Sequence, residues 1–342
     1  MSTVRYLPML RSKAGDAAAL LHLASKFRDC LLPVVHLTHV PAATFGSAIS
    51  SAWAGRPMAL DGKFLTDMTG STQGFNQMFD EIGQGKVALI PSIEYNPTAG
   101  YLAAVQKARN KYAPGVLVKV RPNQLHDVLN WCTAQMWRPT EIDLVINLAD
   151  IGGYDAAMLT SMVSKTVVQH IPNPSPWRSL TLCASSAPRD DSGLLRGRNI
   201  VPRSEWQLWR NSAREAPHHL DYSDFLTVHP DLSDPPRYAL TRMIVSVRYT
   251  IQNDWIILKG SSMTGETTQQ MTAQYGSHAK TLVADPNFGG LHECWADDKI
   301  RKIANGEPGG GSRAVWTSIV ASRHLSFVVD RLCAERRCVQ GF

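Results

Sequence analysis

The chain has 342 residues, 44% hydrophobic and 19% charged, with a mean hydropathy of −0.16, so it can bury a sizeable core and is too apolar for a disordered chain. Its formal net charge of +6, with a sequence pI of about 9.0, is spread along the chain except for local groups at Arg196–Arg203 and Arg331–Arg337; this permits a nucleic-acid or phosphate-bearing partner without requiring one. No apolar run reaches the ~18 residues of a membrane span, Met1–Arg11 has no signal-peptide core, and the six cysteines form no CxxC pair, which together read as a cytoplasmic protein with reduced thiols and no membrane partner.

Arg5–Leu10 is expected to be a short extended piece. Ala14–Arg28 reads as a helix, with Ala17, Leu20, Leu21, Ala24 and Phe27 near helical spacing. Apolar runs then alternate with helix-period segments. The runs are Leu31–Thr38, Met58–Asp67, Val87–Glu94, Val116–Arg121, Ile142–Asn147, Ser179–Ser185, His219–Leu226 and Ile244–Thr250. Strands alternating with helices imply a parallel sheet, and eight of them suggest a closed (β/α)8 TIM-type barrel. An open doubly wound α/β sheet is the alternative.

Between the strands, Gly74–Gln84 places Phe75, Met78, Phe79 and Ile82 on one stripe. Thr98 can cap Ala99–Tyr112, and Ser204 can cap Glu205–Glu215. Leu125–Trp137 and Asp155–Ile171 carry similar stripes. Pro230, Pro235 and Pro236 mark Pro217–Met243 as a loop. Trp255–Gly260 is expected to pair with Val245–Ile251 as a hairpin around Gln252-Asn253, and helices are expected at Glu266–Ala284, Asp297–Asn305 and Arg313–Arg331. The whole chain, 1–342, is read as one barrel domain. It has an N-terminal segment and helix over 1–30, barrel strands and helices over 31–260, and a final barrel helix with a C-terminal helical extension over 261–342.

Several phrases resemble a known family. Tyr6-Leu-Pro-Met-Leu-Arg-Ser-Lys13, with Asp16 and Ala19-Leu20, is similar to the opening of the phage and bacterial beta protein family. Ser185-Ser186-Ala187-Pro188, Tyr222-Ser223-Asp224-Phe225 and Arg248-Tyr249-Thr250 with Trp255 and Lys259-Gly260 resemble later family elements in order, as do Trp316 and His324. Ser223 stands where Gly is common, Arg323 where the first of two histidines is common, and Ala187 replaces a bulkier residue. The resemblance implies a barrel-like intracellular protein from phage or mobile-element neighbourhoods, and it implies no established reaction.

Strand ends carry the candidate site. Asp67, Glu94 and Asp224 each follow or end an apolar run. Carboxylates converging at a barrel mouth can hold Mg²⁺ or another divalent metal, or share acid–base work; each could equally cap a loop or pair with an arginine. Arg121 and Arg248 offer planar forks suited to phosphate or carboxylate, with Lys259 and Lys13 as further cations and Asn147 as an orienting group. Asp150 competes with Asp155 to cap the following helix. His324 enters as a catalytic candidate through the resemblance alone, since its helical setting favours a packing role. Gly306–Arg313 lacks the ending of a P-loop and reads as a hinge ahead of a helix. GxSxG, GxGxxG, HExxH and zinc spacings are absent.

Two function classes follow. The first is a pocket for an anionic, phosphate-bearing ligand (a nucleotide or nucleic-acid end), extending to metal-assisted phosphoester hydrolysis. The second is a non-catalytic ligand sensor or protein-binding factor in phage–host conflict, an anti-phage defence setting. A glycosidase is a weaker third, because paired arginines are not required by that chemistry.

Overall fold

The computed structural model describes residues 5–39, 44–112, 115–233, 244–262 and 270–339. The strands in chain order are β1 (Met9–Arg11), β2 (Val34–His36), β3 (Pro57–Asp61), β4 (Ala88–Glu94), β5 (Val116–Val120), β6 (Ile142–Asp150), β7 (Ser179–Ser185), β8 (Gly197–Pro202) and β9 (Asp221–Ser223). All but β8 form one sheet, and each strand runs parallel to its neighbour in the order β1 to β7, then β9. Its two edges meet. The Leu7 N–H donates to Tyr222 O at 2.9 Å, and the Met9 N–H donates to Asp224 O at 2.8 Å. The expected (β/α)8 barrel is therefore present, and the open sheet is not.

The membership of the barrel differs from the expectation at both ends of the count. The extended piece before residue 11 supplies β1, and the run Ile244–Thr250 supplies no barrel strand. Ala14–Arg28 divides into α1 (Ala14–Leu21) and α2 (Ser25–Arg28), which follow the first strand instead of preceding it. Around the barrel come α3 (Thr44–Trp53), α4 (Lys63–Thr69), α5 (Gln73–Gln84), α6 (Ala99–Tyr112), α7 (Val128–Ala134), α8 (Ala156–His170) and α9 (Ser204–Glu215). In α5 the apolar stripe Phe75, Met78, Phe79 and Ile82 is buried, as its spacing requires. Burial of side chains of this size contributes about 1.5–3 kcal/mol each. Thr98 caps α6 by accepting from the Tyr101 N–H at 3.4 Å, and Asp155 caps α8 by accepting from the Met158 N–H at 2.7 Å.

By internal contacts the chain divides into two compact units. The first holds the residues up to Lys13, Leu31–Ser186 and Ser204–Phe225, and contains every barrel strand. The second holds Ala14–Cys30, Ala187–Arg203 and the chain from Leu226 onward. In the second unit, β10 (Ile244–Thr250), β11 (Asp254–Ser262) and β8 make an antiparallel sheet in the order β10-β11-β8. The expected hairpin is there: Thr250 pairs with Trp255, and the Ile251 N–H donates to Asp254 O at 3.0 Å. Helices α10 (Met271–Val283), α11 (Trp295–Ala304) and α12 (Arg313–Val339) complete the unit. Val247, Tyr249, Ile256 and Leu258 of the sheet share a core with Tyr275, Leu282, Ile300, Trp316 and Ile319. Ser312 caps α12, accepting from the Val315 N–H at 3.3 Å. Pro235, Pro236 and residues 266–269 of the expected loop and helix lie outside the described residues. Among the described residues no helix is long and apolar enough to cross a membrane.

Candidate functional site at the barrel mouth

Leu7, Met9, Val34, Ala59, Ile90, Leu117, Val145, Cys183 and Phe225 fill the barrel as one apolar cluster. Side chains alternate along a strand, so positions two residues further on return to the interior, nearer the C-terminal mouth. Those positions are Arg11, His36, Asp61, Ser92, Lys119, Asn147 and Ser185. On seven strands the apolar layer thus gives way to a polar one. In a barrel of this class the C-terminal strand ends form the working face.

Lys119 and Asp61 lie at the centre of this layer. The Lys119 ammonium donates to Asp61 Oδ2 at 2.8 Å and to Glu94 Oε1 at 3.3 Å, with only 5% of the lysine side chain and 1% of the aspartate side chain exposed. Ser92 Oγ donates to Asp61 Oδ2 at 2.8 Å, and the Lys63 N–H donates to Asp61 Oδ1 at 3.0 Å. Burial alone would raise the Asp61 carboxyl pKa, but the Lys119 charge, His36 and these hydrogen bonds hold it down at about 2. Burial works against the Lys119 cation too; Asp61 and Glu94 outweigh it and raise its pKa. His36 is pushed down to about 3, first by burial and then by Lys119, so its imidazole is neutral at pH 7. Its Nε2 lies 3.5 Å from Met9 Sδ.

The turn after Asp61 fixes this geometry. The Gly62 N–H donates to Tyr101 Oη at 2.7 Å, and Tyr101 Oη donates to Ser92 O at 3.0 Å. A Cβ at residue 62 would meet Phe75 at 2.6 Å, so only glycine fits.

An ammonium has three donors. Two of those on Lys119 reach carboxylates, and no further partner is found among the described residues. Arg121 stands two residues beyond Lys119 in extended backbone and is exposed; its guanidinium pairs with no carboxylate among the described residues. One strand therefore offers two cationic donors, one buried and one at the rim.

The residues singled out from sequence are distributed as follows. Asp67 lies on α4, one turn past the end of β3, and pairs with Lys63, which is also 3.9 Å from Glu94. The strand-end acid is Asp61. Asp224 falls on the opposite face of its strand from Phe225 and is fully buried. It accepts from Tyr6 Oη at 2.5 Å and Tyr222 Oη at 2.7 Å, across the seam between β1 and β9. Asn147 lies at the mouth and accepts from the Ala149 N–H at 2.9 Å, while Asp150 accepts from the Gly152 N–H at 2.8 Å. Lys13 lies just past β1 in the first unit.

Arg248, Lys259 and His324 belong to the second unit. Arg248 donates to Thr227 O at 2.8 Å, Pro188 O at 3.0 Å and Asp191 Oδ1 at 2.9 Å. Lys259 donates to Leu194 O at 2.7 Å. His324 is buried, with Nδ1 2.8 Å from Thr250 Oγ1. Arg323 beside it donates to Asp297 Oδ2 at 2.9 Å and Gly289 O at 3.0 Å, between the rings of Tyr249 and Phe327. Asp67 and Glu94 are thus brought to one lysine, and Asp224 stands elsewhere. Among the described residues no group of three His, Cys, Asp or Glu side chains could hold a metal ion.

The residues that shared sequence phrases supply are mainly structural pins. Tyr6 stacks on Tyr222 at 5.5 Å, Trp206 meets Tyr222 edge-on, and Ser223 Oγ donates to Leu7 O at 2.6 Å. Ser186 Oγ donates to Glu205 Oε2 at 2.5 Å and accepts from the Ser204 N–H at 2.9 Å, anchoring the start of α9. Asp61 and Lys119 were signalled only by charges at inward positions of otherwise apolar strands.

No curated protein matches the chain in sequence. Among solved structures, it is similar to a protein assigned as a fructose-1,6-biphosphate aldolase from Coccidioides immitis, at 8% identity and a TM-score of 0.38, covering 98% of this chain and 91% of that one. It is also similar to PhdJ bound to a substrate intermediate, at 9% identity and a TM-score of 0.32, covering 96% and 97% of the two chains. Tryptophan synthase from M. tuberculosis, in its aminoacrylate-bound form, is similar at 9% identity and a TM-score of 0.27, over 64% of this chain and 83% of that one. The model of the Beta protein family matches residues 6–330, and the chain belongs to that family.

Proposed function

We propose that the C-terminal mouth of the barrel binds a small anionic ligand carrying a phosphate group, such as a nucleotide or a nucleic-acid end. The observation that carries this reading is the pair of Lys119 on β5 and Arg121 just past its end, with one ammonium donor and one guanidinium left for a ligand at two depths. Guanidinium forks and ammonium groups are the usual partners of phosphate oxygens. Asn147 stands on β6, the strand beside β5, and Lys13 stands just past β1; both are further expected contacts.

Binding without turnover is the reading favoured over metal-assisted phosphoester hydrolysis. Glu94 and Asp67 converge on Lys63, while Asp224 is held by two phenols, so the three carboxylates expected to share a metal are not assembled. His36, held near pKa 3, is a weak base at pH 7. A sensing role in phage–host conflict accords with this reading and rests on the family resemblance. Calorimetric titration with nucleoside mono- and triphosphates tests it, together with chromatography of the recovered ligand. The proposal expects saturable binding, loss of at least tenfold in affinity in Arg121→Gln, and recovery of the nucleotide unchanged. Equal affinity in Arg121→Gln would contradict the assignment of the mouth, and rapid product release would move the protein into the hydrolase class.

A further inference from the structure

The opposite end of the barrel carries a second polar layer. Two residues before Leu7 and Val145 on the inner face stand Arg5 and Asp143, and Asp221 lies four before Phe225. Beside them opens a cleft of about 510 Å³, lined among others by Arg5, Ser175, Trp177, Arg178, His219 and Asp221. That volume is in the range of small-molecule sites, roughly 300–1,000 Å³. All of these residues belong to the first unit.

Asp143 organises the cleft from behind. Its side chain is 0% exposed, and it accepts from Arg178 Nε at 3.0 Å and Nη2 at 2.6 Å, from Arg5 Nη1 at 3.2 Å, and from Ser179 Oγ at 2.7 Å. Burial would raise its carboxyl pKa; Arg178 and Arg5 outweigh that and lower it, so it stays an anion. One buried carboxylate thus holds two guanidinium groups whose side chains remain 29% (Arg5) and 26% (Arg178) exposed. Arg5 uses one N–H on Asp143 and has no other side-chain partner among the described residues. Across the cleft, His219 Nε2 lies 3.0 Å from Asp221 Oδ1, and that aspartate is itself buried. Fixed guanidinium groups in a concave site bind planar or tetrahedral oxyanions with little ordering cost.

We propose that this cleft at the N-terminal end of the barrel is a second ligand site, taking the phosphate or carboxylate group of a small anion on Arg5 and Arg178. It is independent of the C-terminal mouth and needs none of its residues. The full chain is titrated calorimetrically with inorganic phosphate and, separately, with citrate; the tighter anion identifies the group. Arg5→Gln removes one fork while leaving Arg178 on Asp143. Ser175→Trp fills the cleft without touching its charges, and Arg121→Gln removes the donor at the other end. The proposal expects a saturable isotherm that is at least tenfold weaker in Arg5→Gln and in Ser175→Trp, and that persists in Arg121→Gln. Thermal unfolding of the variants shows that the barrel is intact. Absence of saturable binding of both anions, unchanged affinity in Arg5→Gln and Ser175→Trp, or loss in Arg121→Gln alone overturns it.

Discussion

Replacing Lys119 by methionine keeps the side-chain stem and removes the charge that Asp61 faces. Asp61 would retain the Ser92 hydroxyl and the Lys63 N–H, and lose its ammonium partner at 2.8 Å. With 1% of its side chain exposed, the aspartate cannot recover that loss from water. Breaking such a buried pair costs about 3–5 kcal/mol, far above the ~0–1 kcal/mol of a surface pair. The depressed pKa of Asp61 sets a second scale for the same interaction. Its pKa is lowered from 3.8 to about 2. At ~1.4 kcal/mol per unit this is about 2.5 kcal/mol of stabilisation shared among Lys119 and the other partners. Because the folded value lies below the unfolded one, this stabilisation is present above pH 3.8 and is lost as pH falls through about 2. Urea unfolding at pH 7, followed by circular dichroism, should therefore show a loss of about 3–5 kcal/mol in Lys119→Met. The double variant Asp61→Asn with Lys119→Met should recover part of it, and the gap between wild type and Lys119→Met should narrow toward pH 3. A loss below about 1 kcal/mol, or strict additivity in the double variant, would refute the argument that a buried ion pair organises the mouth.

Other expectations follow from the same geometry. His36 is lowered to about 3, so its neutral form stabilises the fold above the unfolded pKa of 6.5; as pH falls from there toward 3 the wild type should lose up to ~1.4 kcal/mol per pH unit, and His36→Asn should flatten that slope in urea titrations. Asp224→Ala leaves the Tyr6 and Tyr222 hydroxyls without this acceptor and should lower stability by about 1–3 kcal/mol, read from the denaturant midpoint, without altering ligand affinity at the mouth. Arg323→Met strands the buried Asp297 and should cost about 3–5 kcal/mol by the same measurement. His324→Ala removes the group 2.8 Å from Thr250 Oγ1 and should lower stability by about 1–3 kcal/mol, again read from the denaturant midpoint.

Much of the fold was legible in the sequence because burial leaves a period. The Phe75, Met78, Phe79 and Ile82 stripe and the hairpin joining β10 and β11 follow directly from spacing and turn residues. The first barrel strand was harder to read, because Met9–Arg11 is only three residues long and follows a proline. The run Ile244–Thr250 has the composition of a barrel strand, and nothing in its residues distinguishes a parallel partner from an antiparallel one.

The site was read less well for a geometric reason. Joining Met58 to Asp67 in one run passed over Gly62, where the strand ends and the chain turns into α4, so Asp67 took the place of Asp61. At Asp224 a one-residue phase decides the outcome: Phe225 enters the barrel, and its neighbour therefore faces away. Lys119, inside Val-Leu-Val-Lys-Val, was the clearest overlooked signal, since a lysine at an inward position needs a buried partner. Arg121 was legible from sequence alone as a strand-end cation. That Arg248 belongs to the other compact unit depends on long-range pairing that local spacing does not encode.

The most direct test of the central claim is a crystal structure of the full chain soaked with the nucleotide that binds most tightly. The account predicts phosphate density at the C-terminal strand ends, within hydrogen-bond reach of the Arg121 guanidinium and above Lys119. Fully occupied phosphate density elsewhere, with Arg121 and Lys119 uncontacted, would contradict it.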